Sequence, residues 1–238
     1  MTSDLERVQC QITAYWDTRG EVYDNQPRHG ILHPQERALW LDTLRELLPP
    51  PPREVLDVGC GTGFLALLLA ELGYPVIGID LAEGMLATAE RRADGLNPRP
   101  IFRVGDAIAP PFAPASFDVV VNRHLLWTLI DPARAFTSWY RLLRPGGHLL
   151  AIDSLWSQEQ QPAERPRSHP GYTPEMEAAL PLRRLTAVEP VVELARAAGF
   201  VDVRVVWLER ITALERALFP EQAPSFGVRY ALLGTHPA

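Results

Sequence analysis

The chain has 238 residues and a formal net charge of −6, from 29 acidic and 23 basic residues. Apolar residues make up 47% and charged residues 22%, a globular balance that excludes a disordered chain. The acidic balance and the lack of any Lys/Arg block weigh against nucleic acid as a partner, and two cysteines, Cys10 and Cys60, exclude both a disulfide framework and a three-cysteine iron–sulfur ligand set.

The basic pairs Arg91-Arg92 and Arg183-Arg184 read as solvated positions. The histidines show no HExxH-type spacing, so no metal site is expected. No apolar run reaches the roughly 18 residues that span a bilayer. The opening MTSDLERVQCQ lacks a basic stretch followed by an apolar one, so the expectation is a cytoplasmic protein without membrane association.

Residues 1–52 are predicted to form a helical N-terminal cap. A helix over 4–18 places Leu5, Val8, Ile12 and Tyr15 at helical spacing. A loop carrying Tyr23, His29 and His33 follows. A second helix starts at Pro34, well suited to a first helical position, with Trp40, Leu41, Leu44 and Leu48 as its inner stripe, and the prolines at 49–52 end it.

Residues 53–153 alternate strands and helices. The predicted strands are 54–59, 75–80, 101–106, 117–122 and 148–153. Helices are predicted over 63–73, over 82–93, and from the Asp131-Pro132 cap pair to Leu143. This alternation implies an α/β fold, a mainly parallel sheet with right-handed crossovers and helices on both faces. Residues 154–187 are polar, proline-rich and irregular, an insertion placed to act as an acceptor lid, with His169 and Tyr172 as its candidate contacts. In 188–238, Thr186-Ala187-Val188-Glu189 has the form of a capping box and Gly199 closes the helix it opens. Strands at 201–208 and 227–236 follow with no helix expected between them, and they are read as an antiparallel pair ending the sheet. Trp139, Tyr140 and Trp156 are candidate surface aromatics for a homodimer; a monomer is the alternative.

The strongest chemical signal is VLDVGCGTG at 55–63, a strand running into a glycine-rich turn and then a helix. Its glycines at 59, 61 and 63 give G-x-G-x-G, whereas a dinucleotide fingerprint needs a glycine at Phe64. Asp57 ahead of the turn suits a ligand carrying an ammonium or hydroxyls rather than a phosphate. Asp80, 21 residues after Gly59 at the end of the second strand, sits where a carboxylate accepts ribose hydroxyls. Taken alone it would equally cap the helix from Ala82. Gly105-Asp106-Ala107 brings a third group to the same sheet edge.

VLDVGCGTG, GIDLAEGML, GDA, FDVVVNRHLLWTL and LRPGGHLLAID, in this order over residues 53–155, resemble the motifs of class I S-adenosylmethionine (SAM)-dependent methyltransferases of the small-molecule, UbiE-like type. The resemblance implies a Rossmann-like, seven-stranded, mostly parallel sheet whose final strand is antiparallel. It implies SAM as cofactor, S-adenosylhomocysteine as product and a small-molecule methyl acceptor as partner. By resemblance, Asp57, Gly59 and Gly61, with Cys60 in the same turn, would line the methionine moiety. Asp80 would bind both ribose hydroxyls, with Leu81 and Met85 against the adenine and Asp106 and Ala107 beside its amino group. Asn122 and Arg123 would lie under the sulfonium and methyl group. Tyr15, Trp16 and Tyr23 resemble the cap aromatics that close over the cofactor, a cation–π arrangement; packing the cap onto the core is the other reading.

Methyl transfer from a sulfonium needs no fixed acid–base residue, because the leaving group departs unprotonated and orientation supplies much of the acceleration. The catalytic candidates are therefore individual. His124 follows the fourth strand, and His29 and His33 lie on the cap loop, where a histidine titrates near neutral pH. Arg123 either holds an acidic acceptor group or braces the loop. Trp127 reads as core or pocket wall. The expected reaction is O- or N-methylation of a small organic acceptor. Arsenic methylation is disfavoured for want of acceptor thiols, and quinone C-methylation ranks lower. The alternatives are a tRNA or protein methyltransferase and a non-catalytic SAM-binding protein.

Overall fold

The computed structural model describes residues 4–155, 171–183 and 185–238. Seven apolar runs form strands: β1 (Val55–Val58), β2 (Val76–Asp80), β3 (Ile101–Val104), β4 (Phe117–Arg123), β5 (Leu143–Leu155), β6 (Val201–Trp207) and β7 (Val228–Thr235). They join one sheet in the order β3-β2-β1-β4-β5-β7-β6. β1 to β5 pair in parallel, and β7 runs antiparallel to both β5 and β6. This is the Rossmann-like architecture expected from the sequence, including its antiparallel last strand. β1 is buried at every position, as a central strand covered on both faces must be. The strand order turns back at β1, with β2 on one side and β4 on the other, so a crevice opens at their carboxyl ends.

The helices are α1 (Asp4–Asp17), α2 (Pro34–Leu47), α3 (Phe64–Glu71), α4 (Glu83–Arg92), α5 (Pro132–Leu142), α6 (Pro174–Ala178), α7 (Glu189–Ala198) and α8 (Glu209–Leu218). Side chains alternate across each strand, so each face of the sheet gathers its own core. Val119, Val121 and Leu150 meet Leu44 of α2, Leu65 of α3, Ala89 of α4 and Ile211 of α8. Val120, Leu149 and Leu232 meet Phe136 of α5 and Val191 of α7 on the opposite face. α1 forms a third, smaller cluster, packing Val8 and Ile12 against Tyr172, Met176 and Leu180. Among the described residues, no helix is long and apolar enough to cross a membrane.

Asp131 caps α5 as its Asp-Pro signal predicts, accepting from the Arg134 N–H at 3.0 Å. Other local expectations fail for identifiable reasons. The capping box at Thr186 does not form: Val188 is the N-cap of α7 and makes no side-chain bond. α8 was not expected, and its buried face mixes Ile211 with Thr212 and Glu215, which breaks the apolar period. β5 starts at Leu143 rather than His148, because Leu143 pairs with Phe117 across a register shift in β4. Leu5, set at helical spacing with Val8 and Ile12, is 52% exposed.

The surface aromatics also resolve differently. Trp139 is buried and donates its Nε1–H to the Ala107 carbonyl at 2.8 Å. Tyr140 stacks on His236 with ring centroids 4.2 Å apart. Trp156 and His169 lie outside the described residues. Of the basic pairs, Arg91 is exposed as expected and Arg184 lies outside the described residues, whereas Arg92 and Arg183 are not simply solvated. Arg92 pairs with Asp24 of the cap, and Arg183 pairs with Glu177 and lies over the rings of Trp127 and Tyr172.

Candidate active site

The glycine turn after β1 holds three residues in the left-handed region that favours glycine, Gly59, Gly61 and Gly63 at φ 65°, 54° and 84°. At Gly59 a Cβ would strike Leu125 Cδ1 at 2.5 Å, the movable end of a side chain, so the demand for glycine there comes from its φ. At Gly61 a Cβ would meet nothing within 4 Å. Bare backbone at Gly61 thus borders open space, the cradle a closely approaching ligand would fill.

Two carboxylates flank this cradle. Asp80 ends β2; its Oδ2 accepts from Gly61 N–H and its Oδ1 from Ala82 N–H, each at 2.9 Å. Each oxygen keeps further acceptor capacity, which suits a vicinal diol. Burial raises the Asp80 carboxyl above its ordinary range, opposed by its backbone N–H partners. Asp57 is buried in β1, and its Oδ2 accepts from Ala66 N–H at 3.1 Å. That bond supplies a partner to the first turn of α3, whose own N-cap, Gly63, has no side chain. Burial pushes Asp57 up to about 8, with Asp80 adding to the rise. Two carboxylates beside one turn disfavour a pyrophosphate and favour a cation.

The crevice along the strand ends, counted with the solvent at its mouth, encloses about 920 Å³. Leu81, Met85, Asp106, Ala107 and Ile108 line one end, around the carboxyl ends of β2 and β3. Asp106 Oδ1 accepts from Ile108 N–H at 2.8 Å, which fixes that turn. Arg123, His124 and Leu125 line the other end, with Ile12, Trp16 and Tyr23 of the cap. These groups fit an adenosyl sulfonium: a diol partner at Asp80, an apolar slot at Met85 and Ala107, and anionic groups at the turn.

The cap closes on the turn through specific bonds. Thr62 Oγ1 donates to Asp24 Oδ1 at 2.7 Å, and Arg92 Nη1 donates to Asp24 Oδ2 at 2.6 Å. Asp17 Oδ1 accepts from Gly84 N–H at 2.7 Å. Gly20 lies against Gly84 so closely that a Cβ on Gly20 would meet the Gly84 carbonyl oxygen at 2.2 Å.

Behind the far end lies a buried charge cluster joining β4, the cap, α8 and β7. Glu215 accepts from Arg28 Nε at 2.8 Å and from Arg229 Nε at 2.7 Å. The carbonyl oxygen of Arg28 accepts from Arg229 Nη2 at 2.8 Å and from Arg123 Nη2. Arg123 also donates to the His29 carbonyl at 3.2 Å and lies 3.6 Å over the ring of Phe64. Burial and mutual repulsion lower Arg28 to about 9 and Arg123 to about 10. His124 Nε2 lies 2.5 Å from Arg229 Nη1. A guanidinium donates and never accepts, so the proton of His124 sits on Nδ1. Burial and the surrounding guanidinium groups hold that imidazole neutral, well below its ordinary pKa.

Comparison with known proteins decides what this architecture is. Residues 56–151 match the family model described as a methyltransferase domain. That match runs from β1 into β5. A demethylmenaquinone methyltransferase of Clavibacter sepedonicus is 31% identical over 154 residues, which are 64% of this chain and 62% of its own. A ubiquinone biosynthesis O-methyltransferase of Dinoroseobacter shibae is 32% identical over 157 residues, 63% of this chain and 62% of its own. The chain therefore spans about three-fifths of the length of these relatives. The fold is also that of phosphoethanolamine N-methyltransferase 2 of Haemonchus contortus, solved with phosphomonomethylethanolamine and S-adenosylhomocysteine. It aligns at TM-score 0.72 and 22% identity, over 100% of this chain and 61% of that one.

Within the matched segment, Asp57, Gly59, Cys60, Gly61, Asp80, Leu81, Met85, Asp106 and Ala107 all border the crevice. Cys60 does so through its backbone, since its side chain is part of the core beneath. Asn122 does not line it. Strand alternation turns Asn122 away from the face of Arg123, and both its side-chain polar atoms are buried without a partner among the described residues. Tyr15 packs edge-on against Trp16 and Tyr172 within the cap, and Trp16 faces the crevice in its place. Tyr23 lines the crevice and stacks on His29 at 4.4 Å, which leaves His29 behind it. His33 lies at the start of α2 beside Phe219, away from the crevice. Tyr172 is buried in the cap cluster, accepting from Trp16 Nε1 at 2.9 Å. Sequence reading missed Thr62, Arg28, Glu215 and Arg229. The last three are far apart in the chain and carry no motif.

Proposed function

We propose that this protein binds SAM in the crevice and transfers its methyl group to a small organic acceptor through oxygen or nitrogen. The observation that carries the reading is the pair of carboxylates at the bare-backbone turn: Asp80, with acceptor capacity for a ribose diol, and Asp57, buried where an ammonium would relieve its raised pKa. The family match and the relatives' named activities support the same reading. Bound there, SAM supplies an electrophilic methyl whose C–S bonding electrons return to sulfur as the acceptor's lone pair forms the new bond.

The chain's own part is to bind, orient and exclude water. Ile12, Trp16 and Tyr23 roof the crevice from a cap held by Asp17 and Asp24, which suits a small acceptor and a near-attack pose. His124 fits a general base poorly, because Arg229 lies on Nε2 and the proton sits on Nδ1. Calorimetry with SAM and S-adenosylhomocysteine tests the reading. Both are expected to bind, and Asp80→Ala to lose at least tenfold in affinity. Equal affinity in that variant, or preferential binding of a nicotinamide nucleotide, would overturn it.

A further inference from the structure

The far end of the crevice holds more positive charge than its carboxylates balance. Arg28, Arg123 and Arg229 are 8%, 9% and 0% exposed, and Glu215 is the carboxylate paired with two of them. Among the described residues, no carboxylate forms an ion pair with Arg123. Of the neighbouring acids, Glu36 is committed to the backbone of Leu32 and His33, Asp24 to Arg92 and Thr62, and Asp57 to Ala66 N–H. Asp153, with one oxygen on Ser154 N–H and the other buried without a partner among the described residues, lines a separate small cavity with Trp127 and Tyr230. The Nε–H of Arg123 is buried with no partner among the described residues, and Arg123 and His124 both line the crevice. A buried, charged donor left unpaired is unfavourable. With its Nε2 taken by Arg229, His124 contributes a second N–H donor.

We propose that the methyl acceptor bears a carboxylate, held by Arg123 Nε–H and His124 Nδ1–H, with its apolar body between Trp16, Tyr23 and Leu125. Charge-assisted donors in a largely desolvated wall select an anion over its neutral isostere, and the same field repels an ammonium. This inference rests on the SAM reading above, since it places the acceptor beside the cofactor.

Benzoate, benzamide and benzylamine titrated into protein saturated with S-adenosylhomocysteine provide the test. Benzoate is expected to bind at least tenfold more tightly than benzamide, benzylamine not to bind, and Arg123→Met to lose the benzoate preference. His124→Asn, which tolerates the left-handed backbone of that position (φ 57°), is expected to weaken benzoate severalfold. If either variant fails to fold, the three-ligand comparison on the unaltered protein still decides the charge preference. Benzylamine binding as well as benzoate, no benzoate binding up to about 10 mM, or full retention in Arg123→Met would overturn the inference. So would benzoate displacing S-adenosylhomocysteine, because Arg123 would then serve the cofactor's own amino-acid carboxylate. Failure of S-adenosylhomocysteine to bind would instead sink the SAM reading, and benzoate on the ligand-free protein would still report the charge preference.

Discussion

Thr62 of the glycine turn donates its hydroxyl to Asp24 of the cap at 2.7 Å, and Arg92 of α4 grips the same carboxylate from the other side. The roof of the crevice is thereby tied to its floor. Thr62→Val keeps the side chain's shape and removes the donor. It is expected to cost about 1 kcal/mol of stability and to speed tryptic cleavage at Arg19. An unchanged digestion rate would show that this bond does not hold the cap.

Asp57 gives ligand binding a signed pH dependence. In the free protein its carboxyl stays protonated below about 8, and a cationic ligand binds the ionised form. Binding therefore releases a proton. Affinity for S-adenosylhomocysteine rises with pH from about 6 to about 8, beyond which the ligand's own ammonium deprotonates. Calorimetry in two buffers of different ionisation enthalpy measures the proton count. In Asp57→Asn the slope should vanish, because the amide oxygen can still accept from Ala66 N–H but nothing titrates. The folded-state pKa is raised, so the ligand-free protein also loses stability as pH climbs from the unfolded carboxyl range, about 4, through about 8.

Glu215→Gln leaves Arg28 and Arg229 without their shared counter-ion in a buried setting. The expected loss is about 3–5 kcal/mol, read as a lower urea midpoint and a fall in Tm of roughly 2–4 °C for each kcal/mol. A melt indistinguishable from the parent protein would mean that the cluster is not under electrostatic strain.

Two glycines separate steric from conformational demand. Gly20 has no positive φ, yet a Cβ there meets the Gly84 carbonyl at 2.2 Å. Gly20→Ala should push the cap off α4, weakening ligand binding at least tenfold. Gly61→Ala has open space but a φ of 54°, so it should cost only about 1 kcal/mol of stability. Its added methyl faces the cradle, and affinity should drop far more than Tm does. Equal effects of the two changes on Tm and affinity would contradict this division.

The sheet and glycine turn were legible because they obey local rules. Apolar runs bounded by glycine and proline mark the strands, and G-x-G-x-G with Asp80 downstream marks the cofactor end. What escaped depended on geometry that sequence separation conceals. α8 hid because its inward face carries Thr212 and Glu215, and those residues face inward because Arg28 and Arg229 lie opposite them. Asn122 and Arg123 are adjacent in sequence but project to opposite sides of β4. Tyr15 and Trp16 likewise share a helix turn while one ring faces the cap's interior and the other the crevice.

The carbonyl of Arg28 is clamped by two guanidinium groups rooted in different strands, Arg123 in β4 and Arg229 in β7. Residues after Arg28 consequently travel with the sheet, whereas those before it are fastened through Asp17 and Asp24. The chain thus has a swing point just ahead of Arg28. Opening the crevice from this side would break the Asp17 and Asp24 bonds and leave the clamp on the Arg28 carbonyl intact. Exchange and positioning are divided between two stretches of the same N-terminal segment.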